Sequence, residues 1–322
     1  SFEMELKGGD DDSGLQDPEI HPFLLASGMQ KETGNLLQAD TGEDVTDLTL
    51  GETVTGGTSS ATGKVVGYIG TSAGELIVAS VDGTFQDGET LTGGTSENTV
   101  DLASSDAVED CPIYRPQTDP DEIQDVAVYL NYDGTQFKLL GGICDMSLNI
   151  PVNGYGRITF NMSSLYATPT AVALPSPTTL DLTPPVCYGL GLTVGSWSPV
   201  ATNALTLSLN NQVTRRNDLN ASTGILGFKI TGRAPAGTID PEQAAIGTYD
   251  VYSAWEDVTA AAIHSVIGST KGNRVVPFIP KAIWSGINHQ DRNGYQAYQL
   301  GFTCRIDDTS GSGDDELYLA FV

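Results

Sequence analysis

Val126-Ala127-Val128-Tyr129-Leu130-Asn131-Tyr132-Asp133-Gly134-Thr135-Gln136-Phe137-Lys138-Leu139-Leu140 reads as a β-hairpin. Asp-Gly between two β-prone runs supplies the pair of positive-φ positions that a two-residue hairpin loop needs. Outward from it, residues 146–150 turn near Asn153-Gly154 into a second strand over 157–162. Further strand-like runs lie at 204–209, 225–231, 262–267, 274–279, 296–306 and 316–322. Leu205, Leu207 and Leu209 alternate with Thr206 and Ser208, the period of a sheet buried on one face. The pattern predicts a mainly β protein, an antiparallel sandwich or barrel with one or two flanking helices.

Two segments read as those helices. Asp17 is placed to cap a first helix, with Pro18 at its first position and Gly28 just past its end. Ile20, Phe23, Leu24 and Ala26 would form its buried stripe, and Pro22 is expected to shorten or distort it. A second helix is expected over 249–258, where Val251, Ala254, Trp255 and Val258 fall at helical spacing.

An internal repeat interrupts this pattern. Gly51-Glu52-Thr53-Val54-Thr55-Gly56-Gly57-Thr58-Ser59 recurs as Gly88-Glu89-Thr90-Leu91-Thr92-Gly93-Gly94-Thr95-Ser96. Between the copies lie two strand-like runs, at 63–69 and 75–81. Two copies are too few for a solenoid, so the expectation is a small β-module at 47–105 inserted into a domain made of 1–46 and 106–322.

Composition narrows the function. The chain has 322 residues, 41 acids against 15 Lys and Arg, and a net charge of -26. Residues 1–125 alone hold 26 acids and 4 bases. Such a surface repels phosphate backbones and argues against nucleic-acid binding through basic contacts. A charge run is most simply a solvated face; its functional reading is a wall that keeps a polyanion sliding. Cys111, Cys144, Cys187 and Cys304 are too scattered for a disulfide framework or a zinc knuckle. No apolar run approaches a membrane-spanning length of about 18 residues.

Familiar chemical motifs fail one by one. Residues 57–64 resemble a phosphate loop, but the spacing is one residue too long and Val65 stands where a Ser or Thr would hold magnesium. Gly189, Gly191 and Gly195 miss the dinucleotide fingerprint. His21, His264 and His289 lack metal-ligand spacing. Asp10-Asp11-Asp12 reads as a loop, since three adjacent side chains converge poorly on one calcium ion. No catalytic, cofactor or metal site is expected.

With these runs and their punctuation in order, the chain resembles the tail tube proteins (major tail subunits) of long, flexible-tailed bacteriophages. The resemblance rests on Phe2-Glu3-Met4-Glu5-Leu6-Lys7-Gly8, the segment Pro18-Glu19-Ile20-His21-Pro22-Phe23-Leu24, Tyr114-Arg115-Pro116 and the hairpin at 129–134. Pro184-Pro185, Leu207-Ser208-Leu209-Asn210-Asn211, Gly232-Arg233-Ala234-Pro235 and Gly272-Asn273-Arg274-Val275 complete it. It covers 1–46 and 106–322; the 47–105 module stands outside it. Members of that family carry more chain before the stretch matching Phe2–Gly8, so a longer or processed natural product is the expectation.

The resemblance implies rings, usually hexameric, stacked into a tube whose inner barrel passes double-stranded DNA without binding it specifically. It implies self-association, contact with other tail and connector proteins, assembly in the host cytoplasm and a place in the virion tail. Glu3, Glu5 and Asp145, beside the strands, are the candidates for a negative lumen. Arg215 and Arg216 are the candidates for ring contacts with acidic, irregular segments expected at about 30–46 and 106–122. Residues 47–105 would decorate the outside, where host-surface contact is open to them. The competing reading is an acidic glycan-binding or adhesive β-sandwich with Trp197 or Trp284 as an exposed sugar platform.

Overall fold

The computed structural model describes residues 1–9, 16–176, 180–307 and 313–322. Asp10-Asp11-Asp12 lies outside the described residues. The chain runs β1 (Phe2–Glu5), α1 (His21–Ala26), β2 (Met29–Gln38), β3 (Thr53–Gly56), β4 (Thr62–Ile69), β5 (Glu75–Asp82), β6 (Thr90–Gly93) and β7 (Thr99–Asp101). It continues through β8 (Val108–Pro116), β9 (Val126–Tyr132), β10 (Thr135–Pro151), β11 (Arg157–Ala171), β12 (Thr193–Val194), β13 (Ala204–Ser208), β14 (Val213–Asn217) and β15 (Ile225–Ile230). It ends with β16 (Ala236–Ile239), α2 (Val251–Glu256), β17 (Ala261–His264), β18 (Val275–Arg292), β19 (Tyr295–Arg305) and β20 (Tyr318–Phe321).

The fold is the mainly β, antiparallel sandwich that the alternation predicts. One layer is β1-β11-β10-β13-β16-β19-β18. The other is β18-β20-β8-β2-β5-β4. Strand β18 belongs to both: Val275–Phe278 pair with β20, and the rest pairs with β17 and β19. Pro277 and Pro280 fall where it changes partners. Between the layers Leu24, Met146, Phe160, Leu207, Phe302 and Phe321 form the main core. Full burial of such a side chain is worth about 1.5–3 kcal/mol.

The Asp133-Gly134 hairpin forms as its sequence dictates. Tyr132 faces Thr135 in register, and both turn residues have positive φ, 39° and 81°. Strand β10 then continues without a break where the sequence suggested two strands, with a bulge between Leu140 and Ile143 beside Gly141. The first helix is short, as Pro22 leads one to expect, and the second is shorter than the expected 249–258. Asp17 pairs with Lys31 at 2.7 Å instead of capping, so α1 starts at His21 with Ile20 as N-cap. Pro22 sits in its first turn, where a missing N–H costs nothing. Helix α2 starts at Val251, capped by Asp250, which accepts the Tyr252 and Ser253 N–H groups at 3.1 and 3.0 Å. Six residues cannot present an i, i+7 stripe, and Trp255 and Val258 are exposed.

The segments 30–46 and 106–122 are largely not irregular. Residues 29–37 pair with 108–116 along β2 and β8. Stretches of alternating charge and apolarity hid this pairing, because Gly34, Asn35, Leu36 and Leu37 are buried on both faces of the sheet.

The repeat folds about an approximate two-fold axis. Thr55 pairs with Thr92, the same position in the two copies, and Val54↔Gly93 mirrors Gly56↔Leu91. Each copy's Glu locks the other copy's turn. Glu52 accepts from Thr95 N, Ser96 N and Ser96 Oγ at 2.9, 2.8 and 2.8 Å. Glu89 accepts from Thr58 N, Ser59 N and Ser59 Oγ at 3.2, 2.9 and 2.8 Å. A Cβ on Gly56 or Gly93 would stand about 2.5 Å from these carboxylates, so both turns require glycine.

The module has its own core of Val54, Val65, Val78, Phe85, Leu91 and Val100, which extends past 47–105 to Leu37, Ala39, Val45 and Ala107. A further apolar seam joins Val66, Ile77 and Ala79 to Leu36, Ile113, Phe278 and Tyr318. Ion pairs bracket it: Lys64 reaches Asp307 at 2.8 Å, and Arg274 holds Glu75 with both guanidinium nitrogens.

Burial opposes the ionisation of Glu52 and Glu89, yet their hydrogen bonds together hold both below the ordinary value near 4.5. A depressed folded-state value means that the stabilisation is complete above about pH 4.5 and is lost as pH falls through the folded value. Glu52→Ala or Glu89→Ala should lower stability by about 2 kcal/mol near neutral pH. In urea titrations the deficit should shrink below pH 4; an unchanged deficit there would exclude the charged lock.

Candidate assembly and channel surfaces

Three sequence-predicted acids, Glu3, Glu5 and Asp145, come together on the outer face of the first layer. Along β1, Phe2 and Met4 pack inward while Glu3 and Glu5 point away. The register carries that face across the sheet: Glu3 opposite Thr159, Thr159 opposite Ser147, Ser147 opposite Ser208. A second row runs Glu5, Arg157, Asn149, Thr206, Thr238. Thr206 and Thr238 share a hydrogen bond of 2.7 Å between their hydroxyls. Away from Glu3, Glu5 and Arg157 at its edge, the face is built of short hydroxyl and amide side chains.

The three acids differ in what they do there. Glu3 is paired with Arg157 at 3.2 Å, both well exposed. Glu5 is exposed and stands opposite Arg157 in the ladder. Asp145 is half-buried and accepts the Asn211 N–H at 2.8 Å, tying down the chain after β13; burial raises its carboxyl above the usual range.

Past the bulge the same sheet outruns its core. The inward face that holds Cys144, Met146 and Leu148 continues as Leu139 and Phe137 on β10. Val128, Leu130 and Tyr132 on β9 and Tyr166 on β11 join them. From Val126 to Gly141 no residue is buried; Tyr132 is 63% and Tyr166 70% exposed. This three-stranded arm therefore presents an apolar face that is only partly covered among the described residues.

The opposite end of β10 is also apolar at its surface. Ile150 and Val152 border a cavity of about 440 Å³ closed by the segment 187–193 and residues 198–205. Val152, Tyr155, Tyr188 and Val200 are exposed around it, and Tyr295 and Trp255 lie exposed toward the tip of the β18–β19 hairpin. Strand β10 spans about 50 Å between the two ends.

Arg215 and Arg216 lie exposed on β14, whose hairpin with β15 packs near β10 and β11. Across the hairpin Lys229 pairs with Asp121 at 2.5 Å, and that pair, with a smaller contribution from Arg216, lowers the Asp121 carboxyl. The neighbouring acids are engaged within the chain. Glu32 pairs with Arg115 at 2.8 Å, and Arg233 binds Asp314, Glu316 and the Gln117 carbonyl.

Trp197 and Trp284 are not sugar platforms. They are 6% and 5% exposed; Trp197 stacks on Tyr249 at 4.3 Å, and Trp284 Nε1 donates to the Tyr249 hydroxyl. Their role is in the core. Trp255 is the exposed one, and sequence periodicity had placed it inward. The three histidines stay apart: His21 meets Tyr114, His289 meets Tyr252, and His264 is buried beside Tyr68. Burial pushes His264 down to about 4. Among the described residues no group of His, Cys, Asp and Glu is arranged to hold a metal ion. The loop at 57–64 does cradle an anion, but the anion is Glu89, and Lys64 is turned into the seam.

Phe137→Ser and Tyr166→Ser should leave the isolated chain's stability within about 0.5 kcal/mol, as befits exposed positions. The same changes should reduce binding of a hydrophobic dye to the unassembled chain. A large loss of stability would mean that the arm's apolar face is covered within one chain. No curated protein matches the sequence. A family model described as phage tail tube protein matches residues 30–304.

Proposed function

The chain belongs to the phage tail tube protein family, a structural component of the virion tail, and on that premise we propose that its copies form stacked hexameric rings around a channel for double-stranded DNA. The observation that carries this reading is the distribution of surface chemistry over one long sheet. Its outer face is polar, whereas its two ends are apolar and lie about 50 Å apart.

A wall of short Ser, Thr and Asn side chains offers DNA few fixed cations, and Arg157, which stands in one of its rows, is paired with Glu3. Glu3 and Glu5 at its edge, repeated in every copy, add negative charge that disfavours a phosphate backbone. Only charges near the bore act at physiological salt, where screening sets in at about 8 Å. Arg157 offsets Glu3, so Glu5 is the stronger contributor, and Asp145 contributes less because it is half-buried and engaged with Asn211.

If this face lines the bore, the second layer lies behind it. The 47–105 module continues that second layer through β5 and β4 and shares the apolar seam at Phe278 and Tyr318. It would then stand on the tube's exterior, open to host-surface contact. Arg215 and Arg216 project from a separate hairpin and would meet acidic segments of a neighbouring copy in the ring. Other tail and connector proteins would meet the two ends of the tube.

Electron microscopy of the purified protein should show hollow filaments or stacked rings; discrete monomers at high concentration would refute the reading. Arg215→Glu with Arg216→Glu should abolish rings while preserving the monomer's circular dichroism. Glu3→Lys with Glu5→Lys should leave tubes intact but slow DNA ejection at low salt, with relief at high salt as phosphate contacts weaken. Unchanged ejection at low salt would remove these two residues from the channel wall.

A further inference from the structure

We propose that Lys64 and Asp307 condense into an intramolecular isopeptide bond that fastens the 47–105 module covalently to the sandwich, with Asp315 as the proton shuttle. Lys64 Nζ stands 2.8 Å from Asp307 Oδ2 and 3.4 Å from Asp315 Oδ2. All three residues are 5% exposed or less. The bond concerns a single chain and is independent of whether copies form a tube.

One lysine with two carboxylates is more than a buried ion pair requires, and each member has a further contact that fixes it. The Tyr318 ring lies against the Lys64 ammonium, 5.5 Å from Nζ to its centroid. Asp315 Oδ1 accepts the Asp307 backbone N–H at 2.9 Å, which holds the two acids together. The other oxygen of Asp307, Oδ1, meets Lys281 Nζ at 3.1 Å. A Cβ on Gly51 would stand 3.9 Å from the Phe278 ring and 4.0 Å from Asp307 Oδ2, so backbone and aromatic carbon border the acid.

The reaction balances as a condensation. One proton moves from the Lys64 ammonium to Asp307 Oδ2 and leaves an amine beside a carboxylic acid, a neutral pair that an apolar seam favours more than water does. The amine lone pair attacks Asp307 Cγ, and the carbonyl electrons move onto Oδ1, where the Lys281 ammonium offsets the charge. Asp315 takes the proton that the new C–N bond releases and hands it to the Oδ2 hydroxyl. That group departs as water while the carbonyl re-forms, and Asp315 ends as the carboxylate it began as. Nothing is oxidised or reduced. Contact between amine and acid replaces a bimolecular encounter, and exclusion of bulk water opposes the reverse hydrolysis. Lys64 is the nucleophile because its side chain is 6% exposed, whereas that of Lys281 is 35% exposed.

The partners come from distant parts of the chain. Lys64 lies on β4 of the module, and Asp307 follows β19 of the sandwich. Their bond would close most of the chain into one loop and restrict the unfolded state as a long disulfide loop does. An amide link would also survive reductants.

The unaltered full-length chain supplies the decisive test. Its intact mass should fall short of the sequence mass by one water molecule. Trypsin cuts after free lysine and not after acylated lysine, so digestion of the denatured chain should leave Lys64 uncut and release a branched peptide joining it to Asp307. On a denaturing gel the chain should run ahead of Lys64→Arg, which keeps a cation in the seam and should keep the full mass. Asp315→Asn retains an acceptor for the Asp307 N–H and should slow the loss of water by about a hundredfold or more. Full sequence mass in aged, folded, unaltered protein, with cleavage after Lys64, would overturn the bond whatever the variants do. A branch at Lys281 would overturn the assignment to Lys64. Loss of water from Asp315→Asn at the unaltered rate would exclude Asp315 as the shuttle.

Discussion

Backbone hydrogen bonding along β10 obliges a single ribbon of chain to serve two environments. Seventeen residues pair almost continuously with β11, while the hydrophobic core occupies only the second half of that length. The ladder keeps the arm extended, because an unpaired strand would leave its N–H and C=O groups unsatisfied. Alternation then carries the inward face beyond the point where the core packs on it. Much of the exposed aromatic surface follows from that mismatch between the length of the sheet and the length of the core. The same ladder aligns the outer face into rows of short polar side chains.

The module solves a different problem. Strands β2, β8 and β20 are apolar on the side away from the main core, and β5, paired with β2, and β4 beyond it bring Ile77, Ala79 and Val66 into the same cluster. Burying Lys64 and Arg274 in that seam demands matched carboxylates, which Asp307 and Glu75 provide. Such pairs add little net stability compared with apolar contacts, but losing one partner is severe. They fix the orientation of the module on the sandwich more than they hold it there.

Much of this was legible in the sequence where local chemistry dominates. The Asp133-Gly134 turn, the alternation around Leu207 and the repeat of Gly-Glu-Thr each have a short-range cause, and each formed. The helix limits were less legible. Asp17 has a partner in Lys31, which lies fourteen positions away and on another element. The pairing of β2 with β8 was hidden for a similar reason: the repeat separates them by some seventy residues, and two-sided burial erases alternation. The shared outer face of Glu3, Glu5 and Asp145 was legible from their parity in strands. The apolar arm was not, because exposure of Tyr132 and Tyr166 depends on where the core ends. Trp197 and Trp284 showed the converse, since their stacking and hydrogen bonding with Tyr249 come from distant chain.

The crossed carboxylates of the repeat have a consequence for inheritance. Each half carries the acid that completes the other half's turn, so neither half is a viable fragment. A change in one Gly-Gly-Thr-Ser turn is felt by a glutamate 30 to 44 positions away, in the sister copy. Substitutions in the two copies should therefore be retained or lost together. The smallest piece that recombination can move intact is the pair.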